Sequence, residues 1–335
     1  MTYLMVLGGL VLLFIGGEAL VRGSVSVARK LNISELVIGL TLVGFGTSVP
    51  ELVTSLRAIE QDAVGIAVGN VVGSNIANIL LVLGVAAVIR PILTNPRALA
   101  RDGMIMLAVT ALLCALIWFD LFARPVGIGL LGLLLAYLTY SFIADQRRDS
   151  DVAAMHAAEG EVVEAQYGLF VGFLVAVGGL AGVVLGARFL VDGAVVIARD
   201  LGLSETVIGL TIVAIGTSLP ELVTSVVAAY RGKSDVALGN VIGSNIFNVL
   251  GILGVTAIVH PFSLRGDIAV EAMSQERSSS IISSTDIGAL ILSVFLLMLF
   301  AMTGKRIARW EGMVLLLAYV LYFGLLFDLI PVPGI

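Results

Sequence analysis

Two glutamates, Glu51 and Glu221, lie 170 positions apart in the stretches GTSVPELVTS and GTSLPELVTS. Each follows a Thr-Ser pair by four and three residues, so on a helix Thr47 and Ser48 share a face with Glu51, and Thr217 and Ser218 share one with Glu221. Pro50 and Pro220 each lack an N–H and crowd the carbonyl four residues back. This frees the carbonyls of Gly46 and Gly216 and loosens the turns around Gly44 and Ala214. A second matched pair, GNVVGSNIAN (69–78) and GNVIGSNIFN (239–248), sets Ser74 and Asn78 four apart, and likewise Ser244 and Asn248. Every donor in this set is an oxygen, with no thiolate and no imidazole. Such a set suits hard cations: Ca²⁺, which takes 6–8 oxygens at about 2.3–2.6 Å, or Na⁺ of similar size, ahead of Mg²⁺, zinc or copper. The two carboxylates sum to −2, the charge of one Ca²⁺ or two Na⁺, so the two ions would compete for one site.

The elements that hold these oxygens belong to a membrane protein. Of the 335 residues 59% are hydrophobic and 13% charged, and the mean hydropathy is +1.09, far from the composition of a water-soluble domain. The net charge of −5 says little about partners, because the placement of basic residues along the chain decides topology. Segments near 20 apolar residues cross a hydrocarbon core of about 30 Å as helices. The sequence predicts ten, near 3–21, 35–58, 64–89, 103–120, 125–143, 167–189, 204–230, 235–258, 286–303 and 311–328, hence an all-α polytopic fold. Loops after the odd-numbered spans collect 13 of the 19 basic residues, which places those loops in the cytoplasm and both termini outside a cell membrane.

Residues 36–84 and 206–254 align without gaps at the offset of 170, with 28 identities in 49 positions, among them Gly, Thr, Ser, Pro, Glu and Asn. The chain therefore reads as a duplication: a first five-helix repeat (1–143), a cytoplasmic linker (144–166) and a second five-helix repeat (167–335). Five spans per copy invert the second copy relative to the first. Arg29, expected inside, and its counterpart Arg199, expected outside, agree with that inversion. Inverted repeats suit alternating access, and two ions competing for one site within them is antiport. The longer spacing from Pro261 to Asp286 than from Pro91 to Asp102 marks an insertion over 271–286, expected as an outer loop.

At mid-bilayer each carboxylate costs roughly 3 kcal/mol unless compensated. Arg57, the only basic residue in either motif-bearing span, is far enough along to snorkel, and its counterpart is Val227, so mobile cations or protons are the expected partners. A plain proline kink would explain the prolines and hydroxyls but not the glutamates. Gly69 and Gly73, like Gly239 and Gly243, read as ridges for close helix packing, expected to set the third span against the second. The glycines are not a phosphate loop, since no Lys-Ser or Lys-Thr follows them. Cys114 reads as a small core residue and His156 as a solvated residue of the linker. No pattern calls for an enzyme, a cofactor, a nucleic acid or an obligate protein partner. A cation channel could also use mid-membrane Glu and Asn, though inverted copies disfavour it.

The motifs resemble the alpha-repeats of the cation/calcium exchanger superfamily, most of all its prokaryotic sodium/calcium exchanger branch. The likeness extends over the ten-span layout. It implies that Glu51 and Glu221 are shared ligands of Ca²⁺ and Na⁺. It also implies that Thr47, Ser48, Ser74, Thr217, Ser218 and Ser244 supply oxygens around them, that the carbonyls of Gly44 and Ala214 take part in Na⁺ sites, and that Asn78 and Asn248 complete a central position. Some prokaryotic members carry Asp where this chain has Asn248, which bears on proton coupling. The resemblance further implies electrogenic exchange of three Na⁺ for one Ca²⁺, with the first and sixth spans sliding across the other eight. A Ca²⁺/H⁺ antiporter on the same scaffold is the alternative.

Overall fold

The computed structural model describes residues 2–61, 63–94, 96–159, 167–200, 214–264, 282–303 and 306–326. In chain order the first elements are α1 (Thr2–Leu31), α2 (Glu35–Ile38), a π-helical turn (Gly39–Val43), α3 (Gly44–Thr47), α4 (Val49–Glu60) and α5 (Val64–Ala77). A second π-helical turn (Asn78–Leu83), α6 (Gly84–Ile89), β1 (Ile92–Leu93), α7 (Pro96–Phe119) and α8 (Arg124–Glu159) follow. Next come α9 (Leu169–Asp200), α10 (Ala214–Thr217), α11 (Leu219–Tyr230), α12 (Ser234–Phe247) and a third π-helical turn (Asn248–Ile252). The last elements are α13 (Leu253–Val259), α14 (Ser284–Thr303), β2 (Arg306–Ile307) and α15 (Arg309–Leu326).

Among the described residues eight helical segments are long and apolar enough to cross a membrane, and the pair Glu35–Thr47 and Val49–Glu60, bent by 42°, makes a ninth. The expected seventh span, 204–230, is described only from residue 214, so ten remains a reading of the sequence. Three expectations shift. The first helix runs on to Leu31, past the expected end at 21, because its buried face continues through Val25, Val27 and Ala28. The helix expected to end at 143 extends to Glu159, carried by the Ala, Glu, Gln and Arg of the polar stretch, all good helix formers. His156 is therefore on a helix, not in a loop. The strands were not expected in an all-α chain: Ile92 pairs with Ile307 and Leu93 with Arg306, antiparallel, where extended backbone after Pro91 meets the approach to α15. Most of the 271–286 insertion lies outside the described residues.

The backbone divides into two compact units, Met1–Ser48 with Leu135–Ser244, and Val49–Leu134 with Asn245–Ile335. Both units draw on both sequence repeats. The first is dominated by α1 against α9. Glycines recur every seventh residue on both helices, at Gly9, Gly16 and Gly23 and at Gly172, Gly179, Gly186 and Gly193. A methyl group added at Gly9 would lie 2.8 Å from the Gly186 carbonyl oxygen, one at Gly16 2.8 Å from that of Gly179, and one at Gly23 2.7 Å from that of Gly172. The helices thus run antiparallel with their backbones nearly touching, a contact that dispersion rather than the hydrophobic effect rewards in lipid. Outward side chains such as Tyr3, Phe14, Ile15 and Phe170 are exposed, as suits a lipid-facing surface.

The second unit packs α15 on α6 and on the π turn before it, and α14 on α7. Thr94 Oγ1 donates to the Ala301 carbonyl at 2.9 Å, tying the end of β1 to α14. The motif-bearing segments are the inner ones. In their most apolar windows 72% of Val64–Ile89 and 83% of Ser234–Val259 is buried, against 33% of Thr2–Leu31 and 28% of Leu169–Ile197.

Candidate functional site

Both glutamates sit just past a break in a membrane helix. Between α3 and α4 the chain pauses at Ser48 (φ −83°, ψ 7°), and between α10 and α11 it does the same at Ser218 (φ −87°, ψ 6°). Prolines two residues later pre-set the first turn of the next helix. Glu51 and Glu221 then fall in the first turns of α4 and α11, where the unpaired N–H groups and positive end of the helix dipole favour a carboxylate. The sequence placed the loosening around Gly44. The structure puts it at Ser48 and in the π turn before α3, while the Gly44 carbonyl stays occupied: it accepts from Ser48 N at 3.3 Å and from Ser244 Oγ at 3.0 Å.

In the first unit, Glu221 is fully buried and its Oε1 accepts from Ser48 Oγ at 2.9 Å. Its Oε2 has no hydrogen-bond partner among the described residues. Asn240 holds the backbone behind it, donating from Nδ2 to the Glu221 carbonyl at 3.2 Å and to Ser225 Oγ at 2.9 Å. Those bonds fix the amide so that Oδ1 points at Thr47 Oγ1, 3.1 Å away. The Thr47 hydroxyl also lies 3.1 Å from the Val43 carbonyl oxygen and 3.2 Å from that of Gly44. One hydroxyl carries one proton, so three acceptors crowd a single donor. This excess of lone pairs in a dry setting is an environment that a cation relieves.

In the second unit the same support recurs: Asn70 Nδ2 donates to the Glu51 carbonyl at 3.1 Å and to Ser55 Oγ at 3.0 Å. Glu51 is buried. Beside it the unit holds four asparagines in a crossed arrangement. Asn78 Nδ2 donates to Asn245 Oδ1 at 3.3 Å, and Asn248 Nδ2 donates to Asn75 Oδ1 at 3.0 Å. These bonds orient Asn78 and Asn248 so that the Oδ1 of each is left buried with no hydrogen-bond partner among the described residues. Asn78 and Asn248 each open a π-helical turn, a widening common at functional positions.

The first unit thus brings together Gly44, Thr47, Ser48, Ser244 and Glu221, and the second holds Glu51 and, within the asparagine cluster, Asn78 and Asn248. Ser74 and Ser218 are buried, Thr217 is half-buried, and Ala214 opens α10. The sequence reading missed Asn70, Asn240, Ser55, Ser225, Asn75 and Asn245, although all are identical in the two copies and that pairing was the available signal. One packing expectation holds only in part: α5 does lie against α4, where Asn70 reaches Glu51 and Ser55, but a methyl group at Gly69 or Gly73 would meet nothing within 4 Å. The glycines of α12 face the other repeat's second span: a methyl group at Gly239 would meet the Leu36 carbonyl oxygen at 2.5 Å and one at Gly243 that of Leu40 at 2.3 Å. Crossing repeats at this point lets Ser244 reach Gly44.

Comparison with known proteins places this geometry. A family model described as "Sodium/calcium exchanger protein" matches residues 1–143 and 171–327. The chain belongs to that family. The sodium/calcium exchanger MaX1 of Methanosarcina acetivorans is 37% identical over 360 residues, covering 97% of this chain and 98% of its own. The inner membrane protein YrbG of Escherichia coli is 33% identical, covering 97% and 96%. Among solved structures, the sodium-calcium exchanger NCX_Mj soaked with zero Na⁺ and Ca²⁺ superposes with a TM-score of 0.78 at 35% identity, over 96% of this chain and 97% of that one. The exchanger described here is accordingly a multi-pass, predominantly helical membrane antiporter of cations that include Ca²⁺.

Proposed function

We propose that this exchanger couples inward movement of Na⁺ to expulsion of Ca²⁺ by alternating access at a mid-membrane site built from both sequence repeats, 1–143 and 167–335, which are inverted five-helix copies joined by 144–166. The carrying observation is buried Glu221, with Ser48 from the other repeat on one oxygen, beside a cluster where lone pairs outnumber protons. Glu51 and Glu221 are the charged ligands. Ser48, Ser74, Ser218 and Ser244, Thr47 and Thr217, and the carbonyls of Gly44 and Ala214 are the neutral oxygens. Asn78 and Asn248 offer their amide oxygens to the central position. Ca²⁺ and Na⁺ are substrates, held by groups that must also release them. This fits a set with few charges and many neutral donors, because each added carboxylate deepens the well from which an ion has to leave.

Contacts in the first unit support the topology. The loop after the seventh span, assigned to the cytoplasm, meets the end of the first span and the start of the second, on the same assigned side, through Arg231 Nε and Glu18 at 2.7 Å and through Lys233 Nζ and Glu35 at 2.7 Å. We assign the protein to the cell membrane with both termini outward.

The test is Ca²⁺ uptake into proteoliposomes loaded with Na⁺ and diluted into Na⁺-free buffer, beside a pH-gradient control. Uptake that requires internal Na⁺ and saturates with Ca²⁺ is expected. Uptake driven by the pH gradient alone moves the assignment to Ca²⁺/H⁺ exchange, and non-saturating flux independent of any gradient moves it to a channel.

A further inference from the structure

A cavity of about 210 Å³ opens in the first unit, where the C-terminal half of α1 meets the turn between α11 and α12. Four of its lining residues are cationic: Arg22, Arg29, Arg231 and Lys233. Its wall is Val21, Val25 and the hydroxyl-bearing Ser26, all buried. Two carboxylates are woven into this set. Glu18 accepts from the Nε of Arg22 and from the Nε of Arg231. Glu35 accepts from Lys233 Nζ and lies 3.6 Å from Arg29. Among the described residues of this group four cations thus meet two carboxylates.

Ion pairing alone does not account for such a set, because matched pairs would need as many carboxylates as cations. The bonds to Glu18 use one N–H of Arg22 and one of Arg231. Each guanidinium carries five, and the terminal ones form the planar fork that fits phosphate oxygens in pairs. Partial exposure leaves the forks reachable, since 42% of each side chain is accessible. The cavity also lies where α1 leaves the apolar region, so an apolar tail below the anion would meet the exposed outer face of α1. Basic pockets between membrane helices take phosphate headgroups by this combination of charge and position.

We infer that this cavity is a binding site for a phosphate ester anion, supplied by the headgroup of an acidic phospholipid or as free phosphate. Arg231 and Lys233 hold it from the α11–α12 turn, and Arg22 and Arg29 hold it from α1. The site is separate from the proposed ion path and stands whether the exchanger is driven by Na⁺ or by protons.

The experiment uses the full chain, purified and stripped of lipid in an uncharged detergent, with thermal unfolding followed at fixed ionic strength. One arm adds short-chain phosphatidylglycerol, a second phosphatidylcholine of the same chains, and a third inorganic phosphate. A ligand that binds only the folded state raises the unfolding temperature saturably. Phosphatidylglycerol should do so and phosphatidylcholine should not. If inorganic phosphate reproduces the shift, free anion is sufficient; if it does not, the bilayer supplies the ligand; either result supports the site. Arg231→Gln and Lys233→Gln should each raise the half-saturating concentration about tenfold, the equivalent of one charge-assisted hydrogen bond. Arg231→Lys keeps the charge beside Glu18 but loses the fork, and should fall between wild type and Arg231→Gln, which guards against misreading a folding defect. No saturable shift with either anion, an equal shift with phosphatidylcholine, or half-saturation unchanged in all three variants overturns the inference.

Discussion

Glu221 and Glu51 occupy equivalent places in the two copies, yet their surroundings differ. Each carbonyl is held by an asparagine that also binds a serine one turn along the helix, with distances agreeing to about 0.1 Å. The difference lies one layer out. Asn240 is fully buried and its amide oxygen faces Thr47 in a crowd of acceptors, whereas Asn70 is half-buried. Beside Glu51 the second unit instead presents crossed asparagines with two idle amide oxygens. Duplication has kept the frame that positions the charge, and the asparagine cluster itself draws two residues from each copy, Asn75 and Asn78 with Asn245 and Asn248.

The largest effects should come from the charges themselves. Glu51→Gln and Glu221→Gln are each expected to abolish Na⁺-driven Ca²⁺ uptake without lowering the unfolding temperature, because removing a mid-membrane charge relieves roughly 3 kcal/mol of burial penalty. A variant of either that still transports would break the equivalence of the copies. Asn240→Ala should then be worse than Asn70→Ala. The first leaves the Glu221 carbonyl and the Ser225 hydroxyl without their Asn240 donor in a dry interior, at roughly 1–3 kcal/mol per unsatisfied group, and it should raise half-saturating Ca²⁺ by 10–100-fold, as loss of a ligand-orienting partner does. The second is softened by access of water to the half-buried position. Equal effects would show that the support frame, not the outer layer, sets affinity.

A smaller change is expected from Ser48→Ala, which removes the Ser48 hydrogen bond to Glu221 Oε1. At about 1 kcal/mol it should raise half-saturating Ca²⁺ roughly fivefold in the same assay. The smallest is Arg57→Val, which gives the first copy's glutamate-bearing span the residue that the second carries at the same place, Val227. Arg57 is exposed, so uptake and unfolding temperature should stay within about twofold and about 0.5 kcal/mol of wild type.

Those variants also mark what the sequence made legible. The carboxylates, the hydroxyls three and four residues before them and Asn78 with Asn248 could be read because polar groups in hydrocarbon demand a reason. The break beside each proline could be read from the missing N–H, but its place at Ser48 could not, since whether a freed turn opens or is caught depends on what faces it. Here Ser244 catches the Gly44 carbonyl. Asn75 and Asn245 look like packing residues in one dimension and become part of the polar cluster only when the copies cross. The meeting of Gly243 with Leu40 has the same origin: small residues announce that something comes close, without saying what. The two short strands and the polar extension of α8 lay below the resolution of hydropathy, which reads apolar length and nothing else.

The sevenfold spacing of glycines along α1 and α9 has a mechanical meaning. Seven residues of helix are about 10.5 Å of rise, so the paired surfaces regain their fit only when one helix is displaced by that whole distance past the other. Any shorter slip drives leucine or valine branches into a bare carbonyl. The contact is therefore a coarse-toothed rack, and a force applied to either helix moves both as a single rod. Whatever travels during transport, relative creep between these two helices is not how it travels.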